Sequence, residues 1–163
     1  MFLVKIMIKK MLLISFICVI IDQVLKIIVD SKMVLNTSKE IITDFFNISY
    51  VRNFGAAWSI LAGNRFFLIL VALVSLVIFY LYFVKDKKLS KLETLSYGIL
   101  IGGILGNLID RIIHGYVIDY LDFMIFKYDF PVFNFADMCI VISVGLIIIN
   151  MFIGDDNSEK IHS

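Results

Sequence analysis

YGILIGGILGNLIDRII, residues 97–113, reads as a helix made for lipid and for close contact with other helices. Gly98, Gly102 and Gly106 recur every four residues. Such a small-xxx-small stripe lets a second helix backbone approach closely. Gly103, Asn107, Asp110 and Arg111 form a neighbouring polar stripe at i, i+4, i+7 and i+8. A polar stripe beside a packing stripe turns Asn107, Asp110 and Arg111 toward the interior of a bundle. Adjacent residues do not share a helix face, so Asp110 and Arg111 are expected to find different partners.

Outward from this segment, three more stretches meet the need for about 20 mostly apolar residues to cross a bilayer. The four spans are expected at about Met11–Val29, Phe66–Val84, Leu95–Ile113 and Phe133–Ile153, with outer segments 30–65 and 114–132. Hydrophobic residues make up 61% of the 163, more than a small soluble domain can hide from water. The chain, 1–163, is therefore read as one integral membrane domain. Its only proline, Pro131, stands just before the fourth span, where a helix start loses no hydrogen-bond donor.

A net charge of +1 gives no basic field for nucleic acid. His114 and His162 have no Cys or Glu at ligand spacing, so no metal or cofactor is expected. Cys18 and Cys139 lie in apolar runs and read as small hydrophobes rather than a disulfide.

Lysines orient the chain. Lys5, Lys9 and Lys10 precede the first span, and Lys85, Lys87, Lys88 and Lys91 join the second to the third. Both segments, and the tail with Asp155, Asp156 and Glu159, are expected in the cytoplasm. The outer segments hold Lys32, Lys39, Arg52, Arg65 and Lys127, and they crowd aromatics such as Tyr50, Trp58, Tyr116 and Phe130 where an interfacial belt belongs. No small-x-small site follows the first apolar run, and Asp22 and Lys26 interrupt its end, so it reads as an uncleaved span. Residues 1–8 and 154–163 are expected to be flexible ends.

Phe46, Ile48 and Tyr50 alternate with Asn47, Ser49 and Val51, which predicts a strand on the membrane surface. A short helical piece, Ala56–Leu61, is expected before Gly63-Asn64 turns the chain into the second span. The fold class is an all-α membrane protein: four transmembrane helices with a small β-rich extracytoplasmic cradle between helices 1 and 2.

Ionisable groups inside a membrane cost roughly 2.5–3.5 kcal/mol each at mid-depth and are kept for a reason. Asp22 and Lys26, at i,i+4, share one face; they form either an ion pair with Lys26 snorkelling outward or part of the substrate machinery. Asn134 and Asp137 share a face at the start of the fourth span, where an acid is commonly a first-turn cap. Asp119 lies in the loop between the third and fourth spans and is able to fold back beside Asp137. Two adjacent carboxyls share a proton, so one acts as base toward water while the other donates to a peptide carbonyl. The residues alone leave the pair open among Asp110, Asp119, Asp122, Asp129 and Asp137.

Five segments carry a resemblance: Asp22-Gln23-Val24-Leu25-Lys26, Asn53-Phe54-Gly55-Ala56-Ala57-Trp58-Ser59, Gly106-Asn107-Leu108-Ile109-Asp110-Arg111, Val117-Ile118-Asp119-Tyr120 and Pro131-Val132-Phe133-Asn134-Phe135-Ala136-Asp137. In order and spacing they resemble the motifs of bacterial lipoprotein signal peptidase (signal peptidase II). That resemblance implies an aspartic dyad at Asp119 and Asp137, with Asp22, Lys26, Asn53, Gly55, Asn107, Arg111, Asn134 and Ala136 in support. It implies a substrate prolipoprotein with a diacylglyceryl cysteine, cut just before that cysteine. It further implies contact with membrane lipids, inhibition by globomycin-type cyclic peptides, and a site near the outer face of the bacterial cytoplasmic (inner) membrane. Tyr120 and Trp58 stand where the family commonly has Phe.

Rival readings predict other patterns. A transporter would line a polar path through the bilayer, yet no charge lies between Phe66 and Val84. A serine intramembrane peptidase needs a Ser–His pair, and His114 lies outside the spans. A structural scaffold would not need Asp119 and Asp137 together.

Overall fold

The computed structural model describes residues 2–159. Helix α1 covers Phe2–Lys32, strands β1 and β2 cover Ser38–Ile42 and Phe46–Asn53, and α2 covers Arg65–Phe79, continuing as a π-helical turn over Tyr80–Val84. Helix α3 is Lys91–Ile113, strands β3 and β4 are Val117–Ile125 and Tyr128–Asp129, and α4 is Phe135–Glu159. Four helices are long and apolar enough to cross a membrane: Val4–Lys32, Arg65–Val84, Lys91–Ile113 and Phe135–Phe152.

Helix α1 is already helical at Phe2, and α4 runs to Glu159, so most of the two ends expected to be flexible is helix. Residues 1 and 160–163 lie outside the described residues. Helix α3 begins where Ser90 accepts from the Glu93 N–H at 3.1 Å and Glu93 accepts from the Ser90 N–H at 2.6 Å, a reciprocal cap.

Helix α3 is the centre of the bundle, and its glycines explain why. A Cβ on Gly98 would lie 2.8 Å from Ile14 Cβ, and one on Gly102 would lie 2.6 Å from Cys18 Cβ, both on α1. One on Gly103 would lie 2.5 Å from the Ala136 carbonyl oxygen, on α4. The two glycine rows thus seat α1 on one side of α3 and α4 on another. Helix α2 is peripheral and buries no residue over Arg65–Phe79. Arg65 ties its start to the end of α3, donating to the Ile112 carbonyl at 2.6 Å, where a cation suits the helix dipole.

The strand expected around Phe46–Val51 is β2. Two expectations need correction. The chain is not all-α, and the cradle does not come only from between helices 1 and 2. An antiparallel sheet of order β1-β2-β3-β4 draws β3 and β4 from segment 114–132, with Asn47 opposite Asp122, Val51 opposite Asp119 and Asn53 opposite Val117. Val117, Ile118, Asp119 and Tyr120 are all buried. A strand covered on both faces shows no polar alternation, and that hides it from a period-two reading. The piece Ala56–Leu61 is likewise not a regular helix. Only a 3-10 turn forms, Ala57–Ser59, with Trp58, Ser59 and Leu61 at φ 53°, 56° and 61°. Gly63, at φ 86°, makes the expected turn into α2.

The fourth helix starts at Phe135 rather than Phe133, because Phe133 is spent on the sheet. Its N–H donates to the Leu121 carbonyl at 3.0 Å, and the Leu121 N–H donates to the Phe133 carbonyl at 2.7 Å. That pairing brings β3 beside the first turn of α4.

Candidate active site

The site lies at the end of the bundle where β3 crosses the start of α4. Asn134 caps α4: Asn134 Oδ1 accepts from the Asp137 N–H at 3.1 Å, and Asp137 Oδ2 accepts from the Asn134 N–H at 3.1 Å. Asp137 is therefore a first-turn capping acid as well as a wall of the cavity below.

Three asparagines hold the two carboxyl groups. Asn134 Nδ2 donates to Asp119 Oδ1 at 2.6 Å, and Asn53 Nδ2, at the end of β2, donates to Asp119 Oδ2 at 2.9 Å. Asn107 Nδ2, on α3, donates to Asp137 Oδ1 at 2.7 Å. Every carboxyl oxygen of the pair thus accepts one hydrogen bond from the protein, and Asn134 serves both acids. Asp119 is buried, and its carboxyl is pushed up to about 7. Burial is the larger cause and the nearby Asp137 charge the second, with the Asn53 and Asn134 donors pulling the other way.

The loop after β2 closes one side. Asn53 Oδ1 accepts from the Gly55 N–H at 2.9 Å, and Arg111 Nη2 donates to the Gly55 carbonyl at 2.8 Å. A Cβ on Gly55 would lie 2.5 Å from the Ser59 carbonyl carbon and 2.6 Å from the Ile60 oxygen, so only glycine fits. Between these parts lies a cavity of about 530 Å³. Asn53, Asn107, Arg111, Asp119 and Asp137 line its polar side; Trp58, Phe130, Pro131, Val132, Met138 and Val141 line its apolar side.

The other acids have different work. Asp110 lies 3.0 Å from Lys26 Nζ and accepts from Gln23 Nε2 at 2.8 Å and the Ile118 N–H at 3.2 Å. Asp122 accepts from the Ser49 hydroxyl across the sheet. Asp129 is exposed on β4. Of the five acids left open by the sequence, Asp119 and Asp137 alone line the cavity. Arg111 and Asp110 do find different partners, as their adjacency requires.

Lys26 does not snorkel, contrary to the ion-pair expectation as stated. It is 2% exposed and lies 2.8 Å from Asp22 and 3.0 Å from Asp110. It also donates to Asn107 Oδ1 at 3.0 Å. Turned toward α3, its ammonium meets two carboxylates and an amide oxygen, so it needs no water. Asp22 and Lys26 do not line the cavity, nor does Ala136. Ala136 is fully buried at the α3–α4 contact, and its N–H donates to Asp22 Oδ1 at 3.0 Å. Gln23 had no assigned role, although a second polar residue beside Asp22 in an apolar run was a signal. His114 stacks on Tyr116, with ring centroids 5.7 Å apart, and is not part of the cavity wall.

The arrangement is suited to acid–base work on a bound water: two paired carboxyls, fixed amide donors and an apolar flank. A family model described as signal peptidase (SPase) II matches residues 14–153. The lipoprotein signal peptidase of Staphylococcus haemolyticus (strain JCSC1435) is 40% identical over 149 residues, 91% of this chain and 94% of that one. The lipoprotein signal peptidase of Staphylococcus aureus (strain JH9) is 40% identical over 156 residues, 96% of each. A bacterial membrane enzyme solved by the in meso method at 2.3 Å superposes with a TM-score of 0.84 at 40% identity, covering 92% of each chain.

Proposed function

Because the chain belongs to the signal peptidase (SPase) II family, and so is a membrane peptidase for lipoproteins, we propose that it is an aspartic endopeptidase whose dyad is Asp119 and Asp137. Its substrate is a prolipoprotein with a diacylglyceryl cysteine, cut just before that cysteine. The observation that carries this reading is that Asn134 donates to both carboxyls, from Nδ2 to Asp119 and from its backbone N–H to Asp137, and that both acids line the cavity.

The dyad carries one proton. The ionised carboxylate takes a proton from water as the water oxygen attacks the peptide carbonyl carbon, and the protonated partner donates to the carbonyl oxygen. The resulting gem-diol collapses when a proton passes to the amide nitrogen and the C–N bond breaks. No metal and no covalent intermediate are required. Asn53, Asn107 and Asn134 hold the carboxyls in place, while Arg111 anchors the loop at Gly55.

Asp119 on β3 and Asp137 in the first turn of α4 lie at one end of the bundle, where a lipid-bearing cysteine would meet the membrane surface. The apolar flank at Met138 and Val141 suits the substrate's acyl chains and cyclic-peptide inhibitors of the globomycin type. With the lysine-rich turn 85–91 in the cytoplasm, both termini are cytoplasmic and the site faces outward from the bacterial cytoplasmic membrane.

The test is a cleavage assay in detergent with a diacylglyceryl-modified prolipoprotein and its unlipidated control. Wild type is expected to cut only the lipidated form. Asp119→Asn and Asp137→Asn should each reduce cutting by about 10²-fold or more while inserting normally. Cutting that survives either change would show that the pair is wrongly chosen.

A further inference from the structure

A second cavity, about 360 Å³, opens at the other end of the bundle. Tyr82, Phe83, Tyr97 and Ile147 form its apolar wall, and Lys87 and Lys88 its basic rim. It shares no residue with the cavity holding Asp119 and Asp137.

The chain departs from regular helix here. Over Tyr80–Val84 the last turn of α2 widens to a π-helix, closed by the Lys85 N–H donating to the Tyr80 carbonyl at 2.8 Å. Such turns are rare and often mark functional places. Phe83 lies edge-on to Tyr97, with centroids 6.2 Å apart, and Tyr97 belongs to a buried cluster with Met11, Val84 and Leu89. The aromatic wall is therefore firmly backed. Tyr82, by contrast, is 71% exposed beside it.

The rim is positive. Among the residues whose side chains are described, which leaves out 153–159, the ion pairs are Asp22–Lys26, Lys26–Asp110 and Asp30–Arg52. Glu93 also lines the cavity, its carboxylate accepting from the Ser90 N–H at 2.6 Å, so two lysines face one carboxylate there. The two lysines lie between the helical stretches Arg65–Val84 and Lys91–Ile113, and a turn that joins two spans is where basic side chains meet lipid head groups.

We propose that this cavity binds an anionic phospholipid of the surrounding bilayer. The phosphodiester sits between Lys87 and Lys88, and the acyl chains run down the aromatic wall toward Ile147. An apolar wall continuous with a two-lysine rim at a span end matches such a molecule in both its parts. A free phosphate would use the rim alone.

The test uses the full chain in mild detergent, titrated with phosphatidylglycerol or phosphatidylcholine of equal chain length, with bound lipid counted by native mass spectrometry. Phosphatidylglycerol should bind more tightly. Lys87→Gln/Lys88→Gln should weaken it roughly 25-fold, about fivefold per lysine, and leave phosphatidylcholine unchanged. Lys87→Arg/Lys88→Arg should restore binding, and Lys9→Gln/Lys10→Gln should change it less than about twofold. Equal binding of the two lipids by wild type overturns the proposal. An equal loss in the Lys9/Lys10 variant overturns it in favour of diffuse charge. Full displacement by inorganic phosphate overturns it in favour of a free-phosphate site.

Discussion

Lys26 on α1 donates to Asn107 Oδ1 on α3 at 3.0 Å, and this bond sets which way the Asn107 amide faces. With its oxygen held by Lys26 and, at 3.1 Å, by Asn134 Nδ2, Asn107 presents its NH₂ to Asp137. The flipped amide would set NH₂ against ammonium and oxygen against carboxylate. A buried ion cluster outside the cavity thus orients a donor inside it.

Lys26→Met is therefore expected to act in two separable ways. It leaves Asp22 and Asp110 buried without their cation, at a cost of about 3–5 kcal/mol. Asp22→Asn/Lys26→Met/Asp110→Asn should recover most of the melting temperature in detergent. Cleavage by that triple variant should stay about tenfold low, because a hydrogen bond from a charged donor is lost from Asn107. Full activity in the triple variant would remove the orienting role.

On the proposed dyad, Asp119 should set the pH behaviour. Its carboxyl lies at about 7 when folded, against an ordinary 3.8. A one-proton dyad should then lose kcat/KM as pH rises above about 7. The same shift bears on stability. Since the folded state holds the proton more tightly, this contribution is fully present below about 4 and is lost as pH rises through about 7. Asn53→Ala removes a donor that favours the carboxylate, so the alkaline limb of the pH–rate profile should move to higher pH. A limb that stays in place or moves down contradicts the assignment.

Gly55→Ala tests the loop. The added Cβ meets backbone at 2.5–2.6 Å, and backbone has to shift, taking with it the carbonyl that Arg111 holds. Activity should fall about tenfold or more, as misplacement by a fraction of an ångström does. The melting temperature should change by less than about 2 °C, because Phe54, Trp58 and Ile60 beside it are exposed and contribute little core. A large loss of stability with normal specific activity would reverse that assignment.

Two glycines on different helices separate packing from propensity. Gly102→Ala would place Cβ 2.6 Å from Cys18 Cβ and 2.9 Å from the Ser15 carbonyl oxygen, and should destabilise the bundle by about 1–3 kcal/mol. Gly145→Ala, inside α4, meets nothing within 4 Å and should stabilise by about 0.5–1 kcal/mol through helix propensity alone. Thermal unfolding of both variants in one detergent decides it.

Much of the fold was legible because its signals are local. Apolar length marks four helices, glycine spacing marks the α3 seam, and alternation marks β2. The partners of Asp110 and Arg111 were predictable only as different, because helix periodicity says which faces diverge and not what they meet. Strand β3 was invisible as a strand because residues on both of its faces are buried along Val117–Tyr120. The five acids could not be sorted by position alone, since a carboxyl's neighbours come from distant elements, Gln23 lying 87 residues from Asp110.

What the sequence by itself determined is therefore the membrane class, the helix count and the polar residues that had to face inward. Hydrophobic length and period are properties of contiguous residues. Only the tertiary structure decided that Asp119 lies on a strand, that Asn134 joins it to Asp137, and that Lys26 turns inward to Asn107 instead of outward to water. Those outcomes depend on how β3 pairs and how closely α1 and α3 approach, because a buried charge takes whatever partners the packing brings within hydrogen-bond reach.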